Sequence, residues 1–241
     1  LAETKRVGNK RKRYHMTNKK KQALATRCIH GGQHPDPSTG AIMPPIYATS
    51  TYVQSAPGVF QGYDYSRSKN PTRSAFEACL ASLESGCAAF AFASGMAAIT
   101  TVMQLLSPGD EVIVSHDIYG GTFRLLNTTM KQAGLIAHYV DMTSLDAIQS
   151  SINAKTRLIF VETPSNPMLQ VADLEAIAAL AKKSGCLAVC DNTFATPCLQ
   201  EPIALGMDLV VHSATKYLNG HSDIIGGAVV VGESLELAER I

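Results

Sequence analysis

From Arg73 onward, short apolar, β-branched runs alternate with segments whose apolar residues recur every three or four positions. Phe76, Leu80 and Leu83 fall at helical spacing, with Thr72 placed to cap that helix and Gly86 to end it. Residues 88–93 predict a short buried strand, and Ser94-Gly95 opens a helix to about residue 106. Pro108-Gly109-Asp110 turns the chain into a strand over 111–115, and a helix over 120–132 stops at Gly134 before a strand over 135–140. Residues 144–152 read as helix, 157–162 as strand, 173–183 as a helix closed by Gly185, and 187–190, 208–212 and 227–231 as strands. Strands alternating with helices, joined by connections too long for hairpins, predict an α/β fold: a mostly parallel sheet covered by helices on both faces. Such a sheet binds its ligand beyond the carboxyl ends of the strands.

The chain ahead of Arg73 has a different texture. Residues 22–72 are rich in Gly, Pro, Ser, Thr and Tyr, show no helical period, and predict an extended arm of the kind that packs on a partner subunit. Residues 1–21 hold nine basic residues against Glu3 alone, while the remainder holds 12 basic and 19 acidic. A basic tail can grip nucleic acid or an anionic surface, but the acidic body argues against nucleic-acid binding. The tail lacks the apolar stretch of a secretory signal, and Met16 suits a natural start, with residues 1–15 as vector-encoded or upstream sequence. The organisation is therefore a tail over 1–21, an arm over 22–72 and an α/β domain over 73–241.

Composition narrows the class. With 46% hydrophobic and 17% charged residues, the chain is globular rather than disordered or coiled. No apolar run reaches the ~18 residues of a membrane span; residues 88–106 are broken by Ser94, Gly95, Thr100, Thr101 and Gln104. The expectation is a soluble, cytoplasmic protein without a membrane partner. The six cysteines form no CxxC, and those at 79, 87, 186 and 190 stand in apolar surroundings, as buried thiols of a reducing compartment do. Cys28, His30 and His34 lie in a Gly/Pro turn with no second cluster, so no metal is expected.

Polar residues concentrate where the strands end. They are Ser94-Gly95-Met96, then Ser115, His116, Asp117 and Tyr119, then Glu162 to Asn166, then Asp191-Asn192-Thr193, then Ser213 to Lys216. Taken singly, Asp191 reads as a helix cap, Tyr119 as a core aromatic and Lys216 as a solvated charge. Five such endings on one rim suggest more. Ser94-Gly95-Met96 at a strand-to-helix turn offers backbone N–H groups to a phosphate, and Ser213 and Thr215 could add hydroxyls. Neither GxxxxGK[ST] nor GxGxxG occurs, so nucleotide readings lack their fingerprint. Lys216, if desolvated near another cation, would offer a neutral amine; Asp191 adds a fixed negative charge and Tyr119 a flat ring. Phosphate cradle, amine, carboxylate and ring are the four things pyridoxal phosphate requires.

The motifs Tyr65-Ser66-Arg67, Asn70-Pro71-Thr72-Arg73, Ala93 to Ala98, Tyr119-Gly120-Gly121-Thr122, Glu162 to Pro167, Val189 to Phe194 and Ser213 to His221 closely resemble the Cys/Met-metabolism family of fold-type I pyridoxal-phosphate enzymes. The resemblance runs from about Thr26 to Gly232. It implies that Lys216 holds the cofactor covalently and moves protons, that Asp191 pairs with the pyridine nitrogen, and that Tyr119 stacks on the ring and serves as acid or base. Ser94, Gly95, Met96, Ser213 and Thr215 would bind the phosphate, with Tyr65 and Arg67 reaching the phosphate of a neighbouring subunit. Asn166 would lie near the cofactor's 3′ oxygen and Glu162 in the substrate environment. The implied assembly is a homo-oligomer, a dimer of dimers, acting on a small amino acid.

Within the family, Gly121 stands where methionine γ-lyases typically carry a cysteine, and the Tyr-Gly-Gly-Thr and Asn-Gly-His stretches look more like the cystathionine γ-lyase and γ-synthase branch. The expected reaction is therefore γ-elimination or γ-replacement, with cystathionine β-lyase as the alternative. Family chains continue into a smaller C-terminal domain that carries the arginine for the substrate carboxylate. The expectation is that this domain is absent here, with Arg240 an unconvincing substitute, which leaves a truncated, non-catalytic cofactor-binding fragment as a second alternative. A nucleic-acid module built on the basic tail is the remote one.

Overall fold

A computed structural model describes residues 22–241; the basic tail and Met16 lie outside the described residues. The elements, in chain order, are α1 (Leu24–His30), β1 (Gln54–Ala56), β2 (Val59–Phe60), α2 (Pro71–Glu84), β3 (Ala88–Phe92), α3 (Gly95–Met103), β4 (Glu111–Ser115) and α4 (Gly120–Leu125). There follow β5 (Ile136–Val140), α5 (Leu145–Ser151), β6 (Thr156–Glu162), α6 (Leu174–Ser184), β7 (Leu187–Asp191), α7 (Thr196–Leu199), β8 (Leu209–His212), β9 (Gly227–Val231) and α8 (Leu235–Arg240). Strands β3 to β9 form one seven-stranded sheet in the order β3-β9-β8-β7-β6-β4-β5. Pairing is parallel from β5 through β8, and β9 runs antiparallel to both neighbours. Strands β3 to β8 therefore share one direction, and their carboxyl ends meet on a single rim.

The near-continuous apolar runs are explained by burial on both faces. Val112 and Val114 of β4 pack with Leu158, Phe160, Val189, Val211 and Val229 against α3, the helix after Tyr119 and α8. Ile113, Ile159, Val161 and Cys190 face the opposite way, against Ile148 of α5 and Leu174, Ile177 and Ala181 of α6. Leu80 of α2 covers Val210 and Val230 on that second side. The helices begin where short polar side chains accept orphan N–H groups: Ser94 from Ala97 N, Ser144 from Ala147 N and Asp173 from Ala176 N.

Three expectations need correction. Asn70, not Thr72, caps α2, accepting from Thr72 N at 2.8 Å and Arg73 N at 3.4 Å. Pro71 sets the first helical residue, so Thr72 falls inside the turn and donates instead to Pro45 O at 2.9 Å. The arm is not extended throughout. It contains α1, invisible to periodicity because its one buried residue is Arg27, whose guanidinium binds the Ser82 and Leu83 carbonyls at the end of α2 and Glu201 at 2.9 Å. It also contains the hairpin β1–β2, which turns at Gly58 with φ 76°. Of the thiols, Cys186 and Cys190 are buried, but Cys79, within α2, is half-buried and Cys87, in the turn between α2 and β3, is exposed, because neither sits in a strand covered on both faces.

Candidate active site

The strand ends assemble a ring of contacts on the rim. Ser94, two residues past β3, is extended and caps α3, and the N–H groups of Gly95 and Met96 find no acceptor among the described residues. Gly95 presses on the turn after β8: a Cβ there would stand 2.7 Å from Ser213 Cβ and 3.0 Å from its hydroxyl. The expected phosphate residues Ser94, Gly95, Met96 and Ser213 thus stand where two turns meet. Gly95→Ala is expected to force the two turns apart, costing about 1–3 kcal/mol of stability and the added protection by inorganic phosphate, both read by thermal unfolding with and without the anion.

Ser213 N–H donates to Thr193 Oγ1 at 2.8 Å, and Thr193 donates that hydroxyl to Asp191 Oδ1 at 2.5 Å. Thr193 N–H adds a second bond to the same oxygen at 3.1 Å, which leaves Asp191 Oδ2 without a protein partner among the described residues. Burial raises the Asp191 carboxyl above its usual range, and the Thr193 bonds oppose that shift. Glu162 is the register partner of Asp191 on the adjoining strand, and its Oε2 accepts from Tyr119 N at 2.7 Å. Burial, followed by the charge of Asp191, pushes the Glu162 carboxyl up to about 8. Tyr119 stays 43% exposed, with its ring free at the rim. Gly121 then closes the circuit: a Cβ there would meet Tyr119 Cε1 at 2.4 Å and Met96 Sδ at 2.9 Å, so the ring and the start of α3 lie against the same backbone. A side chain at 121 would push Tyr119 aside.

Lys216 follows Ser213 in the turn, its N–H donating to Ser213 O at 3.1 Å. It lines an open cleft of about 630 Å³ with Phe194, Thr215, Tyr217 and the 220–225 loop. The desolvation expected for Lys216 is not found: it is exposed, and its amine has no partner among the described residues, because the turn projects it into the cleft rather than into the core. The Thr215 hydroxyl is committed locally, donating to Gly226 O and accepting from Gly226 N, both at 3.1 Å. Asn166 is half-buried on the loop after β6 and makes no side-chain hydrogen bond among the described residues. Tyr65 and Arg67 are not drawn into the ring. The Arg67 guanidinium lies 5.0 Å over the Tyr65 ring, and the hydrogen bonds of both stay within the arm and α2.

Sequence reasoning missed the support behind this ring. Glu84 and His212, both fully buried, meet at 2.6 Å, and Asn192 donates to Glu84 at 2.8 Å and exchanges bonds with Gln200. His212 and Asn192 directly adjoin Ser213 and Asp191, so this network fixes the backbone that presents them. Glu84 is 128 positions from His212, and nothing local announces the pair. No group of His, Cys, Asp or Glu able to hold a metal occurs among the described residues.

Residues 25–241 match the family described as Cys/Met metabolism PLP-dependent enzyme. The chain belongs to that family. Its cofactor is pyridoxal phosphate (PLP), and the chemistry of the rim is of the kind such a group needs: unengaged N–H groups at Gly95 and Met96, an unpartnered oxygen on Asp191, the exposed Tyr119 ring and an exposed amine on Lys216 without a partner among the described residues. The chain is 57% identical over 225 residues to a cystathionine beta-lyase of Coxiella burnetii, covering 93% of this chain and 58% of that protein. It is 50% identical over 216 residues to a cystathionine gamma-lyase of Bacillus subtilis, covering 90% and 57%. The crystal structure of cystathionine gamma-lyase from Lactobacillus plantarum complexed with L-serine superposes with a TM-score of 0.88 at 49% identity, covering 91% of this chain and 57% of that one. The chain thus spans a little under three-fifths of the length of these relatives. The fold is that of the PLP-dependent cystathionine lyases, as the motifs implied.

Proposed function

We propose that this chain supplies the cofactor-holding part of a trans-sulfuration enzyme that carries out γ-elimination or γ-replacement on cystathionine or an activated homoserine. The observation that carries this reading is the closed ring from Gly95 through Ser213, Thr193, Asp191, Glu162, Tyr119 and Gly121 back to Met96, with Lys216 beside it. PLP supplies the electron sink that lets bonds at Cα break. The residues do the rest. The N–H groups of Gly95 and Met96, with Ser213, would hold the phosphate at the positive end of α3. Asp191 would keep a negative charge against the pyridine nitrogen, and Tyr119 would cover the ring and serve the leaving sulfur as acid or base. Lys216 would anchor the cofactor and, once released, move protons at Cα and Cβ. Asn166 would face the 3′ oxygen, and Glu162 would border the substrate. Thr215 would act through the fold of its turn, since its hydroxyl is already engaged with Gly226.

The arm with Tyr65 and Arg67 would complete the phosphate site of a second copy, which makes the working protein a homo-oligomer. Among the described residues no helix is long and apolar enough to cross a membrane, and a cytoplasmic setting suits the six free thiols.

β-Elimination is the second reading, favoured by the 57% identity to the Coxiella cystathionine beta-lyase. L-cystathionine distinguishes the two. Cysteine and 2-oxobutyrate as products support γ-chemistry; homocysteine and pyruvate establish the β-lyase. Cofactor bound without either product pair would restrict the chain to holding PLP.

A further inference from the structure

Glu162 and Asp191 stand side by side at the ends of β6 and β7, with only 7% and 6% of their surfaces exposed. Two carboxylates so placed do not both stay charged. The hydrogen bonds decide which one takes the proton. Asp191 Oδ1 receives two donors, Thr193 N and Thr193 Oγ1, and bonds of that kind favour an ionised acceptor. Glu162 receives one, from Tyr119 N on Oε2, and no donor reaches Oε1 among the described residues. The facing groups push the same way. Asp117, on the loop before α4, adds negative charge near Glu162; His212 on β8 favours the charged form of Asp191; Cys190, the residue of β7 before Asp191, is a buried thiol.

We infer that Glu162 is a positioning residue that carries the proton of the Glu162–Asp191 pair: as a neutral acid it fixes the first turn of α4, and with it the Tyr119 ring, while leaving the negative charge on Asp191. The purpose of the arrangement rests on the cofactor reading above; its chemistry does not. Its midpoint near 8, against the usual 4.5, places the switch at the alkaline edge of neutrality. Between those two values the folded chain keeps a proton that the unfolded chain has lost, so this group makes stability fall as pH rises through that window. Above the midpoint Glu162 is charged, its bond to Tyr119 N–H becomes charge-assisted, and a second negative charge stands beside Asp191.

The test uses the cofactor-free protein, so its failure is separate from any failure to bind PLP or turn over substrate. Glutamate side-chain carboxyl carbons and the Tyr119 amide are followed by NMR from about pH 5 to about pH 10. One glutamate carbon is expected to titrate with a midpoint near 8 and to vanish from the spectrum of Glu162→Gln. The Tyr119 amide is expected to move with the same midpoint and to stay flat in Glu162→Gln, which keeps an acceptor oxygen for it. The midpoint is expected to fall in Asp191→Asn, where the neighbouring charge is gone. The proposal is overturned if all glutamates titrate in the ordinary range, if the outlier survives Glu162→Gln, or if the Tyr119 amide does not follow it.

Discussion

Lys216→Ala is expected to abolish covalent retention of the cofactor and to lower turnover by at least about 10³-fold, the scale lost with a group that moves protons in the transition state. The side chain is exposed in the cleft and has no hydrogen-bond partner among the described residues, so its removal leaves packing untouched and the unfolding temperature unchanged. What holds the position is backbone: Lys216 N–H to Ser213 O and Gly220 N–H to Lys216 O. No other described lysine can substitute. Lys155 precedes β6, on the rim opposite the strands' carboxyl ends, Lys182 and Lys183 end α6, Lys131 lies on the helix after Tyr119, and Lys69 sits 5.5 Å over the Tyr63 ring in the arm. Loss of activity without loss of stability is the signature; equal losses of both would make Lys216 a structural residue.

Asp191→Asn is expected to separate binding from stability in the same way, for a different reason. The carboxamide is isosteric and keeps an oxygen for the Thr193 donors, but it cannot balance a protonated pyridine nitrogen. Removing one member of a buried charge pair costs about 2–5 kcal/mol, which weakens PLP binding roughly 30-fold to several thousandfold. Stability moves the other way, because Asp191 and Glu162 crowd each other and the substitution removes one of the two carboxyls. Titration of the cofactor-free variant with PLP and thermal unfolding of both proteins at neutral pH measure the two effects. Unchanged affinity would remove Asp191 from the cofactor site.

The sheet and the residues of its rim could be read from the chain because burial on both faces leaves long apolar runs, and helix caps mark where each run ends. Ser94, Ser144, Asp173 and Gly185 stand where a local rule puts them. The features that escaped are those whose causes lie far along the chain. The helix α1 exists through Arg27 reaching α2 and Glu201, and the support behind Asp191 and Ser213 depends on Glu84 meeting His212. A neutral Lys216 amine would need desolvation that depends on how the turn is packed, and the turn leaves Lys216 exposed in the cleft. The commitment of Thr215 to Gly226 depends on how two loops meet, which no spacing in either loop reveals. The ring itself needs Gly95 and Gly121 to have no side chain. The sequence shows the glycines, and only the packing shows what each makes room for.

The most direct test is to load the purified protein with PLP, reduce it with borohydride, and locate the modified lysine by peptide mass. The rim described above predicts one modified residue, Lys216, with a visible absorbance band that the reduction removes. Modification spread over other lysines, or confined to one of them while Lys216 stays free, would contradict it.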